Sequence, residues 1–228
     1  ALPISNIEID STTFAGDLVA DIDGAGTGIV NTGVGADVLT AHNDLSASVD
    51  TGAGADTVIV DGADLTGGSI SSGEGMDTVQ VWGDMTGSSL IDGEEDADSI
   101  TVAGGVGSLA SVLGGEGGDT IVVLDGVAGS VAGEDGDDDI DVSEGITGTV
   151  TGDDGDDSIS QNTSGDDGRV TGTMSGGDGA DTIYNAGILG DNGANSNVGV
   201  ISGGEGADSI TQVDDMEEGS GINGGAGD

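Results

Sequence analysis

The chain has no cysteine, no lysine and one arginine, Arg169, in 228 residues. Without cysteine, neither disulfides nor thiolate metal sites can form. Against that lone arginine stand 45 acidic residues, for a formal net charge of -44. Such a chain repels nucleic-acid backbones and anionic membrane surfaces and attracts cations. Aromatic residues make up 1% of the sequence, too few for a conventional globular core. Phe14, Trp82 and Tyr184 are scattered and form no platform for sugars. No apolar run approaches the length of a membrane span. The sequence starts at Ala1 without an initiator methionine or a signal peptide, as expected of a processed chain or part of a longer one, and its end, "GINGGAGD", reads as cut within a motif.

High charge with few aromatics is a signature of disorder. What argues against disorder is a repeat. Asp37, Asp56, Asp77, Asp98, Asp119, Asp138, Asp157, Asp181 and Asp208 recur mostly at intervals of 19 or 21 residues, with two late intervals of 24 and 27. Three rows keep register with them. Two residues after each Asp stand Leu39, Val58, Val79, Ile100, Ile121, Ile140, Ile159, Ile183 and Ile210. Seven residues before stand Val30, Val49, Ile70, Ile91, Val112, Val131, Val150, Met174 and Ile201, and Ile222 continues this row. Nine residues before, every residue is small, from Gly28 and Ala47 to Gly172 and Gly199. A disordered low-complexity chain has no reason to hold three rows in phase.

Each unit contains two short β-branched segments, such as "TIVV" and "GSVA", separated by glycine turns. A unit of about 20 residues is too short for the common helical repeats and buries too little to stand alone, so stacking must create the core. The expected fold is all-β: a parallel, β-roll-like β-solenoid of about ten coils, with residues 1–30 as an N-terminal strand or cap region and 31–228 as the solenoid. The small row fits a flat coil whose two layers approach closely. The aliphatic rows are locked to the Asp, so the insertions around "QNTSGDDGRVTG" and "NAGILGDNGANSNVG" should bulge from the turn opposite it.

The uniform turn carries the chemistry. Glycine permits the positive φ of a tight turn and lets backbone carbonyls converge on an ion, while the Asp supplies a hard oxygen. Oxygen-only, flexible ligation selects Ca²⁺. The candidate ligands are the nine ladder Asp residues with Gly33, Gly35, Gly52, Gly54, Gly73, Gly75, Gly115, Gly117, Gly136, Gly155, Gly177, Gly179, Gly204 and Gly206. Carboxylates one coil apart, at about 4.8 Å, repel by about 0.9 kcal/mol even at the dielectric constant of water. Divalent ions between coils would cancel this and cross-link the stack. The bland alternative is a ladder of solvated surface carboxylates. Glu94, Glu134 and Asp153 replace the first glycine of the motif, with Gly93, Gly133 and Gly152 one residue earlier. Asp96 replaces the second, so the site at Asp98 is expected to coordinate differently.

"GGEGGDTIV", "GGDGADTIY" and "GGEGADSIT" resemble the calcium-binding nonapeptide repeat of the RTX family, over roughly residues 31–228. The resemblance implies a β-roll with Ca²⁺ held between turns by the Asp side chain and glycine-turn carbonyls. Here the motif returns once per coil rather than every nine residues, an arrangement more similar to the single-sided calcium solenoids of marine bacterial adhesins.

An ice-binding face would need flat Thr or Thr/Asn rows. The row after the Asp holds Thr57, Thr78, Ser99, Thr120, Ser158, Thr182 and Ser209, but Val38 and Asp139 interrupt it. Catalysis is not expected either. The single histidine, His42, lacks a nucleophile partner, Arg169 sits in an insertion beside acids, and the carboxylates form ladders rather than one special pair. The expectation is a non-catalytic extracellular or cell-surface structural protein, stiffened by several Ca²⁺ ions. It would act as a rod, spacer or assembly unit of a surface layer, adhesin or fibre, a viral fibre included. Its partners would be calcium and self-assembling or neighbouring structural subunits, with no nucleic acid and no membrane insertion. The alternative is a secretion and folding module of a larger type I-secreted enzyme or toxin.

Overall fold

A computed structural model describes residues 7–10, 16–22, 28–190 and 198–227, the first of these by backbone alone. Phe14 lies outside them. Among the described residues there is no helix. The chain alternates between two parallel sheets, one of 11 strands and one of 10. One coil shows the plan: Ser111–Glu116 runs in the first sheet, the glycine turn follows, and Thr120–Val123 runs in the second. A far turn then returns the chain to Ser130–Asp135 in the first sheet. Each strand pairs in parallel with its equivalents in the coils before and after, which makes the protein a β-solenoid.

Register follows the aliphatic rows. Val112 faces Val131 in one sheet and Ile121 faces Ile140 in the other. A slip of one residue would turn each row to solvent, so the pattern that flagged the repeat also fixes the pairing. Both rows line a thin core: Ile70, Ile91, Val112, Ile100, Ile121 and Ile140 are fully buried. Strands Ile7–Asp10 and Val19–Ile22 are the first members of the two sheets, pairing with Gly28–Asn31 and Val38–Ala41.

A further inward row lies at the far turn. Leu45, Leu65, Met85, Val106, Val127, Ile146, Val170 and Leu189 are all buried. Parallel bridges join several successive members, among them Leu45 to Leu65, Val106 to Val127 and Val127 to Ile146. This row closes the core opposite the Asp turn. The insertion between Gln161 and Val170 extends from that same side, and the strand pairing shifts register there.

The small row nine residues before each Asp has a different cause from a close approach of the two layers. The tight contact runs along the stack. A methyl group on Gly129 would lie 2.2 Å from the carbonyl oxygen of Ala110, and one on Gly148 or Gly172 would lie 2.0 Å from the equivalent carbonyl one coil earlier.

The inward row four residues after the Asp also changes character. Val60, Val81, Val102, Val123 and Val142 give way to Gln161 and Asn185, both fully buried, and then Gln212. These amides serve the longer far turns. Gln161 accepts the N–H of Gly187 at 2.9 Å and donates to the Thr163 carbonyl at 3.0 Å. Gln212 donates to the Gly187 carbonyl at 2.7 Å. Where an insertion turns backbone polar groups inward, a side-chain amide satisfies them.

Candidate metal centre

The nine ladder Asp residues occupy equivalent positions at the start of the second-sheet strands. Each sits where the glycine turn ends, so its side chain points back under the turn rather than out to water. Eight of them, Asp37 to Asp181, are at most 4% exposed. They are not solvated surface carboxylates.

Each carboxylate is held by one oxygen. The N–H of Asp98 donates to Oδ1 of Asp119 at 2.7 Å, and that of Asp119 donates to Oδ1 of Asp138 at 2.7 Å. The same bond recurs from Asp37 N–H to Asp56 through Asp181 N–H to Asp208. At the start of the ladder Leu18 stands where an Asp would be, and its N–H donates to Asp37 at 2.7 Å.

The other oxygen is left over. Oδ2 of all nine Asp residues is buried and makes no hydrogen bond. An unpartnered buried acceptor is costly, and a charged one more so. Burial pushes Asp98 and Asp138 up to about 7 and Asp77 and Asp157 up to about 6. The N–H bond from the preceding coil opposes this shift, and neighbouring carboxylates add to it. Asp56, Asp119 and Asp181 are raised by burial as well.

The turn glycines take the conformation expected of them. Gly117 and Gly136, two residues before their Asp, have φ of 141° and 140°. A methyl group on Gly136 would lie 1.6 Å from the Gly117 carbonyl oxygen, so successive turns stack with the carbonyl of one against the Cα of the next. Where the motif departs from glycine, φ stays positive. Glu94, Asp96, Glu134 and Asp153 keep φ of 73°, 75°, 80° and 76°. They are the only non-glycine residues with positive φ among those described. At Asp96 the φ of 75° departs from the 123–148° of the equivalent glycines, so the turn before Asp98 differs from the others in backbone as well as in added carboxylates.

A second set of glycines, five residues before the Asp, was not among the sequence-derived ligands. A methyl group on Gly114 would lie 2.4 Å from Oδ2 of Asp119 and 2.5 Å from the carbonyl oxygen of Gly133 in the next coil. The same pair of oxygens converges at Gly93, Gly133, Gly176 and Gly203. Ca²⁺ holds oxygens at 2.3–2.6 Å, so an ion can join two that are within about 5 Å of each other. The orphaned Oδ2 and a carbonyl from the adjacent coil are thus close enough, and of the right donor type, for one such cation to take both. Among the described residues no three acidic or imidazole side chains converge on one point. Each ladder coil offers one buried, unpartnered carboxylate oxygen, beside backbone oxygens.

The remaining candidates form no reaction centre. His42 is exposed, 3.0 Å from Asp21 and 3.5 Å from Asp61. Arg169 pairs with Asp166 and donates to the Gly190 carbonyl. Trp82 and Tyr184 are apart and partly exposed. A shorter carboxylate ladder at the far turn, invisible in the motif, links Asp44, Asp64 and Asp84, whose Oδ1 atoms accept backbone N–H groups of the following coil. Comparison of the chain with protein-family models, with curated proteins and with solved structures yields no match.

Proposed function

We propose that the protein is a calcium-stabilised structural rod, acting outside the cell as a spacer, stalk or assembly unit, with no catalytic role. The observation that carries this reading is the row of nine buried Oδ2 atoms without a partner. A divalent cation between two coils would neutralise their carboxylates, satisfy the unpartnered oxygen and join one coil to the next. Its binding free energy would then be folding free energy. The resemblance of the turn to the RTX repeat supports the choice of Ca²⁺, as does its all-oxygen donor set. The net charge of -44 supports it as well, since Arg169 is the single Lys or Arg against 45 acidic residues.

An extracellular setting suits a stack whose closure depends on Ca²⁺. Millimolar Ca²⁺ outside a cell would hold the stack closed, and scarce Ca²⁺ inside would leave it open for export. The test is circular dichroism through a Ca²⁺ titration, reversed with EGTA. β-structure should rise with Ca²⁺ and fall on chelation. A spectrum already complete in EGTA and unchanged by Ca²⁺ would refute the mechanism.

A further inference from the structure

The residue five before each ladder Asp divides the solenoid in two. In the first three coils it bears a hydroxyl: Thr32, Thr51 and Ser72. In the next six it is glycine: Gly93, Gly114, Gly133, Gly152, Gly176 and Gly203. The backbone does not demand these glycines, because none has φ in the left-handed region that favours glycine. What they provide is space. A methyl group at any of the six would lie 2.0–2.4 Å from Oδ2 of its own Asp.

In the hydroxyl coils that space is filled. Thr32 donates to the Thr51 carbonyl at 2.9 Å, Thr51 to the Ser72 carbonyl at 2.8 Å, and Ser72 to the Gly93 carbonyl at 3.0 Å. These are the carbonyls whose equivalents, at Gly114, Gly133, Gly203 and Gly224, converge with Oδ2 in the glycine coils. Oδ2 of Asp37, Asp56 and Asp77 is unpartnered as well, but there the hydroxyl already bridges the two coils through the carbonyl that a cation would share with Oδ2 in the others. The charge follows this division only in part. The turns of the first two coils carry Val34, Ala36, Ala53 and Ala55. The Ser72 coil carries Glu74, as the coils of Gly114, Gly176 and Gly203 carry Glu116, Asp178 and Glu205, and only those of Gly93, Gly133 and Gly152 carry several acids in the turn.

We infer that the coils ending at Asp37, Asp56 and Asp77 close through their hydroxyl bridges without a cation, whereas those ending at Asp98 to Asp208 need one each. The inference rests on the calcium reading above. The N-terminal coils are then a preformed template, and calcium propagates the stack from it. A solenoid needs about three coils to be stable, and the hydroxyl coils, preceded by the strand pair at Ile7–Asp10 and Val19–Ile22, supply that number.

Amide hydrogen exchange on the full chain tests this, in millimolar Ca²⁺ and in excess EGTA. In EGTA, amides of Val38–Ala41 and Thr57–Val60 should keep their protection. Those of Thr120–Val123, Asp139–Val142 and Thr182–Leu189 should lose about 100-fold or more, and regain it with Ca²⁺. Equal loss in both groups overturns the division and leaves the calcium reading standing. No change anywhere overturns both. Two substitutions give an independent readout by equilibrium dialysis with Ca²⁺. Ser72→Gly, which opens a hydroxyl coil, should raise the bound ions by about one per chain. Gly114→Ser, with a φ that serine can adopt, should lower them by about one. Unchanged stoichiometry in both variants, with a folded chain in Ca²⁺, overturns the assignment.

Discussion

Asp119→Asn separates the two oxygens of one carboxylate. Asparagine keeps Oδ1 as acceptor for the Asp98 N–H, a 2.7 Å bond. It replaces the orphaned Oδ2 by a neutral NH₂ group directed towards the Gly133 carbonyl. In metal-free protein this removes a buried charge that has no partner. Leaving a buried acceptor unsatisfied costs about 1–3 kcal/mol, so the variant should be more stable than the parent by about 1–2 kcal/mol. In saturating Ca²⁺ the sign reverses. A site filled at 100 times its dissociation constant contributes about 2.7 kcal/mol, and loss of the only anionic ligand in that coil forfeits most of it. Urea unfolding followed by circular dichroism, in resin-stripped buffer and in millimolar Ca²⁺, measures both arms. If Asp119→Asn destabilises the chain equally in the two buffers, the carboxylate acts through shape and hydrogen bonding alone, and the argument from the unpartnered oxygen is refuted.

Protons should partly replace calcium. Asp98 and Asp138 are raised to about 7, and Asp77 and Asp157 to about 6, from 3.8. The folded chain therefore binds more protons than the unfolded one in between, and its metal-free stability falls as pH rises through 6–7. Acidifying resin-stripped protein from pH 8 to about 4.5 should restore β-structure by circular dichroism, by several kcal/mol in total after allowance for coupling and screening. Asp96→Gly removes a non-glycine residue from φ 75° and should raise the urea midpoint in Ca²⁺ by an amount equivalent to about 1 kcal/mol. Gln161→Leu removes the partner of the Thr163 carbonyl and leaves the Gly187 N–H only its 3.2 Å bond to Asn185, and should cost about 1–3 kcal/mol in the same assay.

The rows of this solenoid were legible in the sequence because most of them stand at constant offsets from the Asp. Residues locked to the Asp, such as Ile121 and Val112, stand at constant offsets, so their rows appear on alignment. The far-turn row does so too in most coils: Leu45, Met85, Val106, Val127, Ile146 and Leu189 each follow their Asp by eight residues. Only Leu65, at nine, and Val170, at thirteen, leave that offset, so the row was open to the same alignment but was missed by sequence reasoning. The glycines five before the Asp were in view but merged with the "GG" of the turn motif. Only the backbone angles separate a glycine required for conformation, such as Gly136, from one required for space, such as Gly133. The polar switch at Gln161, Asn185 and Gln212 was also in register, but amides on an inward row make sense only once the extended turns they satisfy are seen.

The stacking of coils has a mechanical consequence. Main-chain pairing between successive coils lies along the long axis, in both sheets. A pull on the two ends loads those junctions in series, so each carries the full force and none shares it. The rod yields where its weakest junction yields, and that junction is expected where the strand register shifts, between Gln161 and Val170. Adding coils would lengthen its reach without raising the force it withstands.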